Sequence, residues 1–390
     1  MIGVAIAGVG MHPFGRFPEK TLKDLARVAV LGALGDAGLG VKDVDAVYSA
    51  NALAGLLQGQ EQIRGQSVLR EVGIDRVPVV NVENACASGS SAVREGVLAI
   101  RAGAARTVLV VGFEKMFVGD RDRSLAALES AADLDLVAGL GLQFTAVYAL
   151  RLRKALDSGR LEPRHLVDVT VKSHANGALN PVAAHREPVT PEQVTASRPI
   201  ADPLTLLMCS SICDGAAACV LVADHDPRLD GRLRVRVRGS ASVSAFVGES
   251  ETDTPGALCA TTAYDEAGVS PHELDVVECH DAMAPAELLY YEQLGLCQPG
   301  EAGDLLEQGV TALGGRTPVN PSGGLCSRGH PVGATGVAQI AELVWQLRGE
   351  AGARQAGRPR LALAHNSGGW VDGQPAATNV HVLERVDPWN

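Results

Sequence analysis

The sequence predicts an α/β fold built from two matching halves, and three observations carry that expectation. Strand-like and helix-like segments alternate along most of the 390 residues. The strand-like segments are short unbroken apolar runs, such as "RTVLVVG" at 106–112, which suit a parallel sheet covered by helices on both faces. One pattern of strand, small-residue turn, helix and strand also occurs twice, at 77–112 and again at 317–369.

The elements follow in order. "VAIAGVG" (4–10) reads as a buried first strand, because no basic segment precedes its apolar run as a signal peptide would require. "TLKDLARVAVLGALGDAG" (21–38) spaces Leu22, Leu25, Ala29 and Ala33 as a helix face and stops at a glycine. "VDAVYSANA" (44–52), "VPVVNV" (77–82) and "RTVLVVG" are the next strands. After Gly119 the pattern loosens into helical pieces such as "LQFTAVYALRLRKAL" and the irregular "KSHANGALNPVAAHREPVTPEQV". Strand character returns with "AAACVLVAD" (216–224), and "LRVRVRGSASVSA" (233–245) opens the second half. The expected organisation is a first half at 1–119 and 206–232, an inserted loop or lid domain at 120–205, and a second half at 233–390. In the repeated unit, Val93, Val97 and Ile100 line one helix, and Val337, Ile340, Val344 and Leu347 line its counterpart. A pseudo-twofold relating the halves would bring the two turns to one place.

Bulk properties exclude several classes. With 34 Lys and Arg against 45 Asp and Glu the formal charge is −11, which argues against nucleic-acid binding through a broad basic surface. No stretch reaches the ~20 apolar residues of a membrane span. The eight cysteines make no secreted disulfide framework, so a reducing cytoplasm is expected. Cys209, Cys213 and Cys219 admit a zinc reading, but no CxxC pair occurs and "MCSSICDGAAACVLV" reads better as a packed strand, so no metal site is expected.

Four places carry possible chemistry. In "VENACASGSSAVREG", Cys86 sits where a strand ends and a helix begins, among small residues that let a ligand approach the backbone. Helix-end N–H groups there would lower its pKa, whereas the alternative is a structural buried cysteine. In "GGLCSRGHPVGATG", His330 lies in a glycine-dense turn; facing Cys86 across the pseudo-twofold it would take the thiol proton. A nucleotide loop is the rival for that turn, but neither a Walker pattern nor GxGxxG opening a helix is present. In "VVECHDAMAPAELLYYEQLGL", His280 would position a water or donate to an oxyanion, or else His280 and Asp281 are a helix-cap cluster with Asp281 as the cap. "LALAHNSGGW" ends a strand in a turn where Asn366, Gly368 and Gly369 offer N–H groups to an oxyanion.

Taken together, ENACASG, HDAM, GGLCSRGHPVGATG and HNSGG, in this order, resemble the nucleophile turn, the NEAF/HDxF block, the GHP block and the C-terminal CxG block of the thiolase superfamily. The HD and HN forms are most similar to its sterol-carrier-protein type, and the resemblance spans essentially the whole chain. It implies a thiolase-like fold and acyl transfer with coenzyme A as substrate and no covalently bound cofactor. Cys86 would become acylated, His330 would activate it, and His330 with a water held by His280 would form one oxyanion hole. The backbone N–H groups of Cys86 and Gly368 would form the other. The resemblance further implies a homodimer or tetramer, and for this type a possible small zinc-ribbon/OB-fold acyl-CoA-binding subunit. One departure stands out. The family's second acid/base cysteine is replaced by Asn366 and Ala282 at the two positions where it occurs. Cys326, four residues before His330, is the nearest substitute in sequence unless it only fills an apolar slot, and a water, a substrate carboxylate and His280 are the alternatives. Competing readings are a retro-aldolase acting on a coenzyme A ester and an acyl-CoA-binding subunit active only in a complex.

Overall fold

The computed structural model describes residues 2–137, 143–231, 233–247 and 253–387. Residues 138–142 of the expected insert, residue 232 at an expected boundary, and residues 248–252 and 388–390 of the expected second half lie outside that description. Among the described residues nine strands form one sheet. They are β1 (Val4–Gly15), β2 (Ala46–Ala50), β3 (Val79–Val82), β4 (Thr107–Lys115), β5 (Asp214–Ala223), β6 (Arg234–Ser244), β7 (Val276–Glu278), β8 (Leu361–Gly368) and β9 (Ala377–Val386). The order across the sheet is β3-β2-β4-β5-β1-β6-β9-β8-β7.

That order is a duplication. From one edge, β3, β2 and β4 run parallel, then β5 and β1 turn antiparallel. From the other, an isolated parallel bridge at Val319 flanks β7, β8 is parallel to β7, and β9 and β6 turn antiparallel. The two innermost strands, β1 and β6, meet only over Val4–Ile6 and Val235–Val237. The sheet is therefore mixed rather than wholly parallel. The short turn from β8 to β9 accounts for that in the second half, since a parallel return needs a crossover of a dozen or more residues. The strand expected at "TPVN" contracts to the Val319 bridge.

Helices cover both faces. The main ones are α1 (Leu22–Ala37), α2 (Ser88–Arg101), α3 (Phe144–Asp157), α4 (Pro163–Ala178), α5 (Pro255–Ala267), α6 (Ala286–Gln293) and α7 (Val332–Arg348). Thr21 and Asp24 form a capping box on α1, and Gly38 closes it at φ 70°. α1 packs on β1, β5 and β4, and α5 packs on β6 and β9. Between them lie α2 and α7, against each other and against strands of both halves. Their crossing is backbone on backbone: a Cβ on Gly89 would lie 2.9 Å from the Gly333 carbonyl, and one on Gly336 would lie 2.3 Å from the Ser90 nitrogen. α7 is buried nearly all round, which suits the centre of a layered molecule.

Among the described residues, the chain between β4 and β5 adds no strand to the sheet. It holds the helix Arg121–Glu129, α3, α4, the helix Pro191–Ala196, and a ribbon of Pro199–Ala201 with Leu204–Thr205. Leu152, Leu166 and Val169 of α3 and α4 join one core with Leu288, Tyr290 and Leu325, so this segment leans on the second half around the HDAM and GGLC turns. No helix among the described residues is long and apolar enough to cross a membrane.

Candidate active site

The Cys86 turn is built by its own short side chains. Ala85 adopts φ 49°, a left-handed conformation uncommon for alanine. Ser88 Oγ donates to the Ala85 carbonyl at 2.6 Å and accepts from the Asn84 N–H at 2.9 Å. These bonds hold the turn between β3 and α2 with Cys86 half-buried at its apex.

The histidine turns are tied to each other. Glu278, the last residue of β7, pairs with Arg328 Nη1 at 3.1 Å, and both side chains are fully buried. Ser322 Oγ also donates to Glu278, at 2.8 Å. The Leu325 N–H donates to Asp281 Oδ1 at 2.8 Å. Asp281 therefore braces the GGLC turn against the HDAM turn and does not cap α6, whose cap position is Pro285. The His330 N–H donates to Cys213 Sγ at 3.1 Å.

As a result Cys86 Sγ and a ring nitrogen from each of His280 and His330 lie within 4.8 Å of one another. The two imidazoles meet edge to face, centroids 5.1 Å apart. The Thr335 hydroxyl donates to the Pro331 carbonyl at 3.1 Å, so its oxygen is left to accept from His330 Nδ1 at 2.7 Å. That fixes the His330 proton on Nδ1 and leaves Nε2, buried and without a partner, as a free base. Asn366 Nδ2 donates to His280 Nδ1 at 2.9 Å, which puts the proton of that ring on Nε2. Asn366 thus serves His280 through its side chain.

Burial sets the charge states. It lowers His330 to about 3, with Arg328 adding to the effect. It lowers His280 well below the ordinary histidine value, with His330 adding to the effect. Burial also pushes the Cys86 thiol up to about 12, reinforced by the Glu114 carboxylate. This overturns the expectation of a helix-lowered thiolate: the N–H groups of Cys86 and Gly369 do lower the value, but desolvation outweighs them. The resting pair is a neutral thiol beside a neutral imidazole.

At Gly368, the end of β8 presses on the nucleophile turn: a Cβ there would lie 2.3 Å from both the Ala87 nitrogen and the Asn84 carbonyl. Gly368 and Gly369 both line the cavity that Cys86, His280 and His330 share, of about 140 Å³. Its other walls, from Leu125, Leu128, Tyr148, Ile212, Met283 and Trp370, are largely apolar. A neighbouring cavity shares Leu125, Gln143, Thr145 and Ser210–Ile212 with it and carries Arg16, Arg121 and Arg198. Cys326 is not among the lining residues; its thiol donates to the Leu207 carbonyl at 3.2 Å. The three candidate zinc cysteines form no ligand cluster among the described residues. Cys219 is in β5, Cys213 accepts from His330, and Cys209 donates to the Thr205 carbonyl at 3.3 Å.

Sequence reasoning did not single out Thr335, the Glu278–Arg328 pair or Tyr148. Thr335 follows His330 by five residues in the same glycine-rich motif, a visible signal. Tyr148 sits in the loosely patterned insert, where no local signal marks it.

A family model described as "Thiolase, N-terminal domain" matches residues 4–225, and "Thiolase C-terminal domain-like" matches residues 214–385. The chain belongs to the thiolase family. An acetyl-CoA acetyltransferase of Methanothermobacter thermautotrophicus is 39% identical over 99% of this chain and 100% of that protein. Sterol carrier protein 2 of Oryctolagus cuniculus is 34% identical over 94% of this chain and 70% of that protein. Among solved structures, the Ltp2-ChsH2(DUF35) aldolase superposes with a TM-score of 0.82 at 25% identity, covering 100% of this chain and 98% of that one. As a thiolase-family chain, the molecule places its four motif blocks around a single cavity.

Proposed function

We propose that this chain is a thiolase-type acyl-CoA C-acyltransferase, cleaving a 3-ketoacyl-CoA by thiolysis or running the reverse condensation, with coenzyme A as substrate and no bound cofactor. The convergence of Cys86, His280 and His330 on one apolar cavity carries this reading. The likeness to an acetyl-CoA acetyltransferase over nearly the full length supports it.

In the cycle, His330 Nε2 takes the Cys86 thiol proton as sulfur attacks the carbonyl, so no standing thiolate is needed. His280 Nε2–H, directly or through a water, and the N–H groups of Cys86 and the Gly368–Gly369 turn stabilise the oxyanions. Removing one such donor typically costs about 3–4 kcal/mol of transition-state stabilisation. Arg16, Arg121 and Arg198 at the adjoining cavity supply positive charge for the coenzyme A phosphates. The test is Cys86→Ala. Incubation with acetyl-CoA should add an acetyl mass to the wild-type protein and none to the variant, with turnover falling at least about 1,000-fold. Full activity in the variant would sink the assignment.

A retro-aldolase acting on a coenzyme A ester is the second reading, favoured by the likeness to the Ltp2-ChsH2(DUF35) aldolase and by Tyr148 in the pocket wall. Consumption of free coenzyme A marks thiolysis; release of an aldehyde or ketone without it marks the alternative. We further propose a homo-oligomer, because β3 ends the sheet with Val80 46% exposed, an open edge a second copy can pair. A partner acyl-CoA-binding subunit is in keeping with the ChsH2(DUF35) component of that aldolase. Eight unpaired cysteines suit a cytoplasmic location, and the likeness to sterol carrier protein 2 supports a role in lipid metabolism.

A further inference from the structure

Acyl transfer at the thiol accounts for only half of a carbon–carbon cleavage. The other half leaves an electron pair on the α-carbon that must receive a proton, and neither Ala282 nor Asn366 can give one. Cys326 is turned to the Leu207 carbonyl, outside the cavity lining. Apart from Cys86 and the two histidines, the proton-exchanging acids lining the cavity are Glu129 and Tyr148. Glu129 ends the helix Arg121–Glu129 and is partly exposed to solvent, whereas Tyr148 is only 8% exposed. Tyr148 does feel the charge of Cys86.

Tyr148 is backed by a second phenol. The Tyr290 hydroxyl is fully buried and has no well-formed hydrogen bond, and Tyr148 and Ser367 are neighbours that favour its ionised form. Its ring packs on His365 at 4.5 Å between centroids, and Ser367 Oγ lies 3.2 Å from His365 Nε2. Arg151, one turn beyond Tyr148 on α3, also lines the cavity, and its charge favours the ionised form of both phenols. A buried acid in the field of a nearby cation is a group that can give up a proton transiently and recover it.

Resting on the acyl-transfer reading, we propose that Tyr148 is the second acid/base of this enzyme, with Tyr290 as its positioning residue. In the cleavage direction the Cys86 sulfur bonds to the 3-keto carbon while His330 takes the thiol proton. The bond from that carbon to the α-carbon breaks, and its electron pair goes to the α-carbon. Tyr148 delivers its hydroxyl proton there, releasing acetyl-CoA and leaving a tyrosinate beside Arg151. The imidazolium of His330 returns its proton to that tyrosinate, directly or through a water. The free His330 then takes the proton of the coenzyme A thiol as its sulfur attacks the Cys86 thioester. The Cys86 thiolate departs and recovers its proton from His330. One 3-ketoacyl-CoA and one coenzyme A become one shortened acyl-CoA and one acetyl-CoA. Burial raises Tyr148 well above the ordinary tyrosine value, so it enters the cycle protonated, as a donor must.

Two assays on the full chain separate this role from a structural one. Acetyl exchange between acetyl-CoA and isotopically labelled coenzyme A needs only the Cys86 thioester, whereas thiolysis of acetoacetyl-CoA also needs the α-carbon proton. Tyr148→Phe should lower thiolysis by about 100-fold or more while exchange falls by less than about tenfold. Equal effects on both rates, or none, would overturn the proposal. If Tyr148→Phe does not fold, Tyr290→Phe decides: a loss of about tenfold confined to thiolysis supports the pair, and unchanged thiolysis overturns it. Absence of acetyl exchange in the wild type would overturn the acyl-transfer reading and this proposal with it; retained exchange with uniform variant effects overturns only the proposal.

Discussion

At the residue scale, the site works by keeping charges absent until they are used. A thiol pushed up to about 12 and an imidazole lowered to about 3 are both neutral across the physiological range. Acid inactivates this pair only when His330 protonates, and alkali changes it only when Cys86 ionises. The expected kcat/KM for acyl transfer therefore varies by less than about threefold between roughly pH 6 and 9, measured in a series of buffers at fixed ionic strength. A steep rise between about pH 7 and 9 would instead mark an ordinary titrating thiol. Thr335 matters because its oxygen accepts the Nδ1 proton and so keeps Nε2 free. Thr335→Val, which keeps the shape and removes the acceptor, should lower kcat by about 10- to 100-fold with thermal stability little changed. Cys86, His280 and His330, which the fold brings together, were each legible in the sequence as candidates because short motifs surround them. Tyr148 was not, since a single aromatic on a helix face reads as core, and only the folded chain shows which wall it lines.

At the element scale, the decisive contact is the crossing of α2 and α7. Gly89 and Gly336 let the helix that follows the nucleophile turn lie directly against the helix that follows the His330 turn. Gly336→Ala would drive a methyl group to 2.7 Å from Ser90 Cβ and 2.8 Å from Asn366 Oδ1. It should cost about 1–3 kcal/mol in denaturant melts. It should also lower turnover more than stability alone explains, because Asn366 holds His280. The glycine-rich motif was visible as a turn; that its glycines serve a helix crossing was not, since Gly333 and Gly336 lie inside α7 and local pattern marks glycine as a breaker. β9 illustrates another limit. Asn379 and His381 are fully buried there, so "TNVHVLERV" lacks the clean alternation that betrays a strand. The apolar runs at the middle of β4 (108–113) and along β5 (215–223) were read directly, whereas their buried charged ends, Glu114 and Asp214, were not.

At the scale of the whole molecule, buried ionisable groups set the response to pH. Burial lowers His12, His174, His280, His330, His365 and His381. Each binds its proton less readily in the folded chain than in the unfolded one, so the unfolded state binds more protons and stability falls as pH drops below about 6.5. Glu114 and Glu278, raised to about 7, and Asp281, also raised, work the other way over part of this range. With the histidines more numerous, the melting temperature should fall between about pH 6.5 and 4 and level off above about 7; calorimetry across that range is the check. A melting temperature that rises toward acid would contradict the burial of these rings.

The doubled strand order has one more implication. Two separate copies of a single half, associating about an exact dyad, would set identical turns against each other, cysteine facing cysteine or histidine facing histidine. Stringing both copies on one polypeptide frees each turn to change alone, and only then can one side become the electron donor and the other the proton carrier. Division of labour in this centre is thus a product of broken symmetry, and the three residue pairs joining β1 to β6 mark the line along which it was broken.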